Sequence, residues 1–248
     1  MSGGKHVKRP SHSSKQIQSP QSRIPKPPSP VSLPSSLSIL YEDETCIVVN
    51  KPAGLAVHGG EGVGISLDSI LAAVYPDLRP LLVHRLDRDT SGIVLVAKGR
   101  EAAAAFSRLW AAGAVKTYLA VCRGRPESPA GTIRLDLEVR GAARKSETRY
   151  RLDGELYGGD FSLLELELGT GRMHQIRRHL AMTGNPVLGD ERHGDFALNR
   201  SLRKTHGLRR LLLHSARLVI PKMPDGSRLE VEVGPPEHFA AFVEGGRG

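Results

Sequence analysis

From Ser38 onward short apolar runs of strand length alternate with turn residues, and this texture predicts one folded unit beginning there. Ser38-Ile39-Leu40-Tyr41, a polar Glu42-Asp43-Glu44 turn and Cys46-Ile47-Val48-Val49 predict a hairpin ended by Asn50-Lys51-Pro52. A Gly-rich loop follows from Gly54 to Gly64. Ser66 then stands as N-cap to a helix whose apolar face is Leu67, Ile70, Leu71 and Val74, stopping before Pro76. Leu81-Leu82-Val83 and Ile93-Val94-Leu95-Val96 are short strands flanking a polar segment, and Glu101 to Ala112 is a helix closed by Gly113.

Further strands are expected over Thr117 to Cys122, Thr132 to Val139, Glu147 to Leu152 and Phe161 to Leu168, the last with strict alternation at Leu164, Leu166 and Leu168. Met173 to Thr183, ended by Gly184 and Pro186, predicts a helix. Arg210 to Ile220 and Leu229 to Val233 are late strands before a short terminal helix. Strands outnumber helices and mostly follow one another through short turns, so an α+β fold around a largely antiparallel sheet is favoured over a βαβ winding.

Residues 1 to 37 lack this pattern. They hold six of the basic residues (Lys5, Lys8, Arg9, Lys15, Arg23, Lys26), ten Ser, seven Pro and no acid, so the formal +9 of the whole chain leaves +3 for the rest. Such a segment cannot bury enough surface to offset its ordering entropy. It is expected to be a disordered basic arm, either a tether to a polyanion or a solvated tail. It has no apolar core of signal-peptide length, and its prolines oppose the amphipathic helix of a transit sequence.

No run approaches the ~18 to 20 apolar residues of a membrane helix, so a soluble chain is expected. Cys46 and Cys122 are too few for a disulfide framework and lack zinc-ligand spacing, which suits buried thiols in a reducing, cytoplasmic setting. With 4% aromatics, any stacking on a base must rest on individual rings.

Two strings concentrate chemistry. His84-Arg85-Leu86-Asp87-Arg88-Asp89-Thr90-Ser91-Gly92 sets charged side chains between two runs that want burial. A carboxylate beside cations stays ionised, which suits a nucleophile or base acting without a metal; a polar turn with surface ion pairs would give the same string. Gly169-Thr170-Gly171-Arg172-Met173-His174-Gln175-Ile176-Arg177-Arg178-His179 is a glycine turn entering a helix, where Met173, Arg177 and Leu180 would converge, as would His174 and Arg177. A helix N-terminus also favours an anion such as phosphate. The spacing of five puts His174 and His179 on different faces, so zinc is discounted and no metal is expected. Lys116-Thr117-Tyr118 heads an apolar strand, where the lone tyrosine reads as core or as a ring for a base. His58 and His214 read as structural histidines.

Together these strings resemble the RluA-type family of pseudouridine synthases over roughly residues 38 to 235. Asn50-Lys51-Pro52-Ala53-Gly54 with Ala56-Val57-His58-Gly59-Gly60, then His84-Arg85-Leu86-Asp87 with Thr90-Ser91-Gly92, resemble its opening and signature motifs. Lys116-Thr117-Tyr118-Leu119-Ala120 resembles the second, and Gly171-Arg172-Met173-His174-Gln175-Ile176-Arg177 with Gly189-Asp190 the third.

The resemblance implies the pseudouridine synthase fold with a central RNA-binding cleft, in a catalytic domain over 38–248. It also implies an isomerase that detaches a uracil within RNA, rotates it and rejoins it through C5, without cofactor and as a monomer. Asp87 would be the catalytic carboxylate, attacking sugar or ring or abstracting a ribose proton. Arg177 would pair with it, and Tyr118 would lie against the flipped uracil and move a proton at C5. Arg85 would fill the gap left by the extruded nucleotide, Thr90, Ser91 and Gly92 would shape the loop, and Thr90, Arg172 and His174 would contact RNA. Extrusion costs a few kcal/mol of unstacking, which contacts to the flipped nucleotide must recover.

Ala56-Val57-His58-Gly59-Gly60 and Lys145-Ser146-Glu147-Thr148-Arg149 resemble the RluC branch, which acts on 23S ribosomal RNA; transfer RNA is the second candidate substrate. Many such relatives carry an amino-terminal S4-type domain, for which residues 1 to 37 are too short and too polar. Relatives usually place an aromatic before the glycine after Gly189-Asp190, where this chain has His193-Gly194. Two other functions stay open: a silent RNA-binding or ribosome-assembly factor of this fold, and a nucleoside-bond hydrolase using Asp87 and Asp89 as paired carboxylates.

Overall fold

A computed structural model describes Met1, Pro34 and residues 37–60, 64–111 and 113–247. The basic arm expected over 1–37 therefore lies, apart from Met1, Pro34 and Leu37, outside the described residues, as do the middle of the Gly-rich loop and Ala112.

The first hairpin is β1 (Ser38–Glu42) and β2 (Cys46–Lys51), antiparallel. Asp43 Oδ1 builds its turn by accepting from the backbone N–H groups of Thr45 and Cys46, both at 2.7 Å. Helix α1 (Leu67–Val74) follows, then β3 (Pro80–Leu82) and β4 (Ser91–Lys98) as an antiparallel pair, and helix α2 (Arg100–Ala111). The next strands are β5 (Val115–Arg123), β6 (Ala130–Arg134), β7 (Leu137–Val139), β8 (Ala142–Arg144), β9 (Glu147–Leu156) and β10 (Phe161–Leu168). Helices α3 (Gln175–Met182) and α4 (Phe196–Thr205), strands β11 (Leu213–Ile220) and β12 (Leu229–Glu232), and helix α5 (Glu237–Gly246) complete the chain.

The main sheet runs β1-β2-β4-β11-β5-β10-β9-β6, with β3 on β4 and β12 on β11. Its pairs are antiparallel except β4 with β11, which run parallel at Ser91 opposite His214 and Gly92 opposite Ser215. The architecture is the expected α+β class. Ile47, Val49, Val94 and Val96 face a core closed by α1 and by Ile176 and Leu180 of α3, while Cys46, Val48, Ile93 and Leu95 face Phe106 of α2. Because both faces are covered, β2 and β4 read as continuous apolar runs and not as alternation. Both cysteines are buried free thiols. Among the described residues no helix is long and apolar enough to cross a membrane.

The structure corrects the expected elements in several places. The strand expected over Thr132 to Val139 is two: β6 pairs with β9, while β7 turns back on β8 through Arg140 and Gly141, both at positive φ (52° and 76°). Helix α3 starts at Gln175, leaving Met173 outside it and His174 as a left-handed N-cap residue (φ 53°, ψ 30°). The late strand starts at Leu213 and not at Arg210. Helix α4, unexpected from sequence, is capped by Asp195, whose Oδ1 accepts from Leu198 N–H at 3.0 Å. Only Asn199 and Leu202 of α4 are buried, so its apolar face is too narrow to stand out among its basic residues.

The parallel junction positions the polar loop before β4. There Gly92 has φ +110°, and a Cβ would meet the Ser215 carbonyl oxygen at 2.2 Å and its nitrogen at 2.7 Å. We therefore expect Gly92→Ala to cost about 3 kcal/mol or more, read as a lowered urea midpoint at unchanged slope. Wild-type stability in this variant would contradict the packing of β4 on β11.

Candidate active site

The register of the central strands brings the distant strings together. Ser215 of β11 pairs with both Gly92 of β4 and Tyr118 of β5, and Leu166 of β10 pairs with Tyr118. The segment 84–90 leading into β4, the head of β5 and the turn leaving β10 thus meet at one rim. A cleft of about 500 Å³ opens there, and Arg85, Asp87, Thr90, Tyr118, Arg172, His174 and Arg177 all line it.

Asp87 sits in the wall with its side chain 25% exposed. Its Oδ2 accepts from Arg177 Nη1 at 3.1 Å, and its Oδ1 lies 3.7 Å from His174 Nε2. Arg177, only 6% exposed, is held from behind by Asp190: Nε donates to Oδ2 and Nη2 to Oδ1, both at 2.7 Å. This fork fixes the guanidinium plane and leaves Nη1 to aim at Asp87. Burial alone would raise the Asp190 carboxyl. Arg177 and the backbone N–H groups of His193 and Arg192 outweigh it and hold the group below the ordinary carboxylate value. For Arg177, burial opposes the charge, and Asp190 with Asp87 overcomes it and raises the pKa. Gly189 lets the chain reach Asp190, since at φ +73° a Cβ would meet the Arg210 carbonyl oxygen at 2.1 Å.

The Asp87 loop is fastened from the opposite side by Lys51, whose side chain is buried at the end of β2. Its Nζ donates to the carbonyls of Pro52, Leu55 and Arg88 at 2.9 to 3.0 Å, and Gly54 N–H reaches the same Arg88 carbonyl at 2.8 Å. Burial pulls the amine down to about 7, against Asp89 and Asp87. The three carbonyls use all three ammonium protons, so the geometry favours the charged form, which the neutral amine with its two donors could not replace. Ser91 Oγ donates to His214 Nδ1 at 2.9 Å while His214 Nε2 donates to the Val233 carbonyl at 3.1 Å, so His214 is structural, as expected. His58 is surface-exposed beside Asp68 at 3.3 Å.

The turn into α3 is locked by buried Gln175. Its Oε1 accepts from Thr170 Oγ1 at 2.6 Å and Arg172 N–H at 3.0 Å, and its Nε2 donates to the Glu147 carbonyl at 2.8 Å. His174 adopts its left-handed backbone under this constraint, a strained conformation of the kind found where a side chain must be aimed. Its Nδ1 lies 2.9 Å from His193 Nε2. His179 faces elsewhere, bonded to Thr148 Oγ1 at 2.9 Å and to the Leu135 carbonyl at 3.0 Å. Arg172 and Arg85 are exposed at the cleft. Tyr118 is 4% exposed, and burial followed by the Asp87 charge pushes its phenol well above the ordinary value, keeping it protonated. Thr90 Oγ1 is buried and has no hydrogen-bond partner among the described residues. Asp89 lies outside, exposed and 3.8 Å from Arg88.

Sequence reasoning did not single out Lys51, Gln175, Asp190 and His193 for these tasks. Each carried a faint signal: a lysine closing an apolar strand, an amide inside a basic string, an acid directly after a glycine, and a second imidazole three residues beyond it.

Comparison with known proteins bears on this arrangement. The family model described as RNA pseudouridylate synthase matches residues 45–182, more than half of the chain. The ribosomal large subunit pseudouridine synthases C of Salmonella typhi and Escherichia coli K12 are each 39% identical, aligned over 78% of this chain and 65% of theirs. The chain thus spans just under two thirds of the length of these relatives. Among solved structures, Human RNA Pseudouridylate Synthase Domain Containing 4 superposes with a TM-score of 0.70 at 26% identity, covering 83% of this chain and 91% of that one. Human RNA Pseudouridylate Synthase Domain Containing 1 does so at 0.66 and 28%, covering 85% and 86%. The matched segment runs from β2 through α3 and contains Lys51, Asp87, Tyr118 and Arg177, and on these grounds the chain belongs to the RNA pseudouridylate synthase family.

Proposed function

We propose that this chain isomerises uridine to pseudouridine within large-subunit ribosomal RNA. The observation that carries this reading is the Asp87 carboxylate facing Arg177 at 3.1 Å inside an open cleft that Tyr118 also lines. The choice of ribosomal over transfer RNA rests on the relatives named ribosomal large subunit pseudouridine synthase C.

The reaction breaks the bond from ribose C1′ to uracil N1, forms one from C1′ to C5, and removes the C5 proton while N1 gains one, so that the product is an isomer and nothing is oxidised. In this reading Asp87 is the reacting carboxylate, aimed by Arg177, whose charge stays fixed as the glycosidic bond changes. The buried Tyr118 ring lies along the extruded uracil, and its protonated phenol serves proton movement at C5. Arg85 fills the vacated place in the stack, while Thr90, Arg172 and His174 contact the RNA around the flipped nucleotide. No step of this scheme calls for a cofactor or metal. The enzyme acts as a monomer in a reducing cytoplasmic compartment, which suits its two buried thiols. A paired-carboxylate hydrolase is disfavoured because, among the described residues lining the cleft, Asp87 is the one carboxylate.

Three outcomes follow. Asp87→Asn should fold normally and lose activity by roughly a thousandfold or more in tritium release from C5-labelled RNA; retained turnover removes Asp87 from the chemistry. Tyr118→Phe should lower kcat by about a hundredfold with RNA affinity largely kept, and unchanged kcat would contradict its proton role. Asp190→Asn should cost about 3 kcal/mol of stability, because it leaves buried Arg177 without its forked partner. Since the Asp190 carboxyl is depressed in the folded state, its contribution is complete above about pH 4 and is lost as pH falls through the folded value. Urea melts from pH 7 downward should show wild type approaching the variant on the acid side; parallel curves would contradict the assignment.

A further inference from the structure

His193 is drawn into the site by geometry that the scheme above leaves unused. Its Nε2 lies 2.9 Å from His174 Nδ1, the rings meet edge to face at 5.1 Å and 74°, and His174 Nε2 lies 3.7 Å from Asp87 Oδ1, outside direct hydrogen-bond distance. The His193 backbone N–H also donates to Asp190 Oδ1 at 2.9 Å, so the ring hangs from the carboxylate that clamps Arg177.

A hydrogen bond between two neutral imidazoles needs one bare nitrogen and one N–H. Were His174 the donor, its proton would sit on Nδ1 and its Nε2 lone pair would face the Asp87 carboxylate, two electron-rich groups opposed in a partly dry cleft. With His193 as donor, His174 Nδ1 accepts and the His174 proton sits on Nε2, facing Asp87 Oδ1. We propose that His193 is a positioning residue that fixes the Nε2–H tautomer of His174, so that an N–H and not a lone pair is presented towards Asp87 Oδ1 while Arg177 bonds Oδ2. This inference rests on the reading of Asp87 as the reacting carboxylate.

Burial of the pair favours the neutral state that this arrangement needs. His174 is lowered by burial first, then by Arg177 and Arg192, against Asp87 and Asp190. His193 is lowered by burial first, then by Arg177, His174 and Arg192, against Asp190. Protonating His174 places an N–H on Nδ1 facing the N–H of His193, so acid breaks the link. The acid limb of kcat/KM should therefore fall below the ordinary histidine value of about 6.5.

Two measurements test this. In wild-type protein with 15N-labelled histidine, long-range proton–nitrogen correlation near pH 7.5 should show His174 protonated at Nε2 and bare at Nδ1. The opposite tautomer overturns the proposal, and this readout needs neither RNA nor turnover. In kinetics, His193→Phe keeps a ring without a donor and should lower kcat about tenfold with KM within about twofold, moving the acid limb to higher pH. His193→Gln, whose amide can donate to His174 Nδ1, should recover kcat to within about threefold. Wild-type kcat and acid limb in His193→Phe, equal impairment in both variants, or a change confined to KM would each overturn it. Absence of any pseudouridine from wild type would instead remove the proposed function and leave the tautomer result standing.

Discussion

The site depends on one guanidinium held between two carboxylates of different standing. Asp190 is 1% exposed and grips Arg177 through two bonds, whereas Asp87 is 25% exposed and receives one. A buried arginine without its first partner would be an uncompensated charge, so Asp190 makes Arg177 tolerable and Arg177 can then present a fixed charge to Asp87. The asymmetry gives the two carboxylates different surroundings: the sealed one grips the guanidinium, and the open one stays in reach of a ligand.

The rest of the fold serves to bring these groups to one place from segments about a hundred residues apart. The short parallel contact between β4 and β11 delivers the Asp87 loop beside Tyr118, and the alternation of β10 sets the turn into α3 against them. Lys51 ties that loop to the end of β2 through the Arg88 carbonyl while also holding the Pro52 and Leu55 carbonyls. Rigidity of this kind suits a site in which a small displacement of the carboxylate would misalign it with its target.

Much of this was legible in the sequence. The apolar runs located most strands, because two covered faces and strict alternation leave strong periodic signals, and the strings at 84–92 and 169–179 supply most of the residues that line the cleft. What escaped were features set by tertiary partners. Helix α4 buries too little to show a stripe, and the β7–β8 hairpin is announced only by Arg140 and Gly141. The start of α3 shifted because Gln175 turns inward to bind the Glu147 backbone, forcing His174 into a left-handed cap. The tasks of Lys51, Asp190 and His193 likewise depend on neighbours distant in sequence, which no local pattern encodes.

The product formed is the most direct test of the proposed reaction. Wild-type protein incubated with transcribed 23S ribosomal RNA, followed by nucleoside analysis of the digested RNA, should yield pseudouridine at the expense of uridine with no free uracil. Uracil released without pseudouridine, or RNA recovered unchanged, would contradict the isomerase reaction proposed for Asp87 and Arg177.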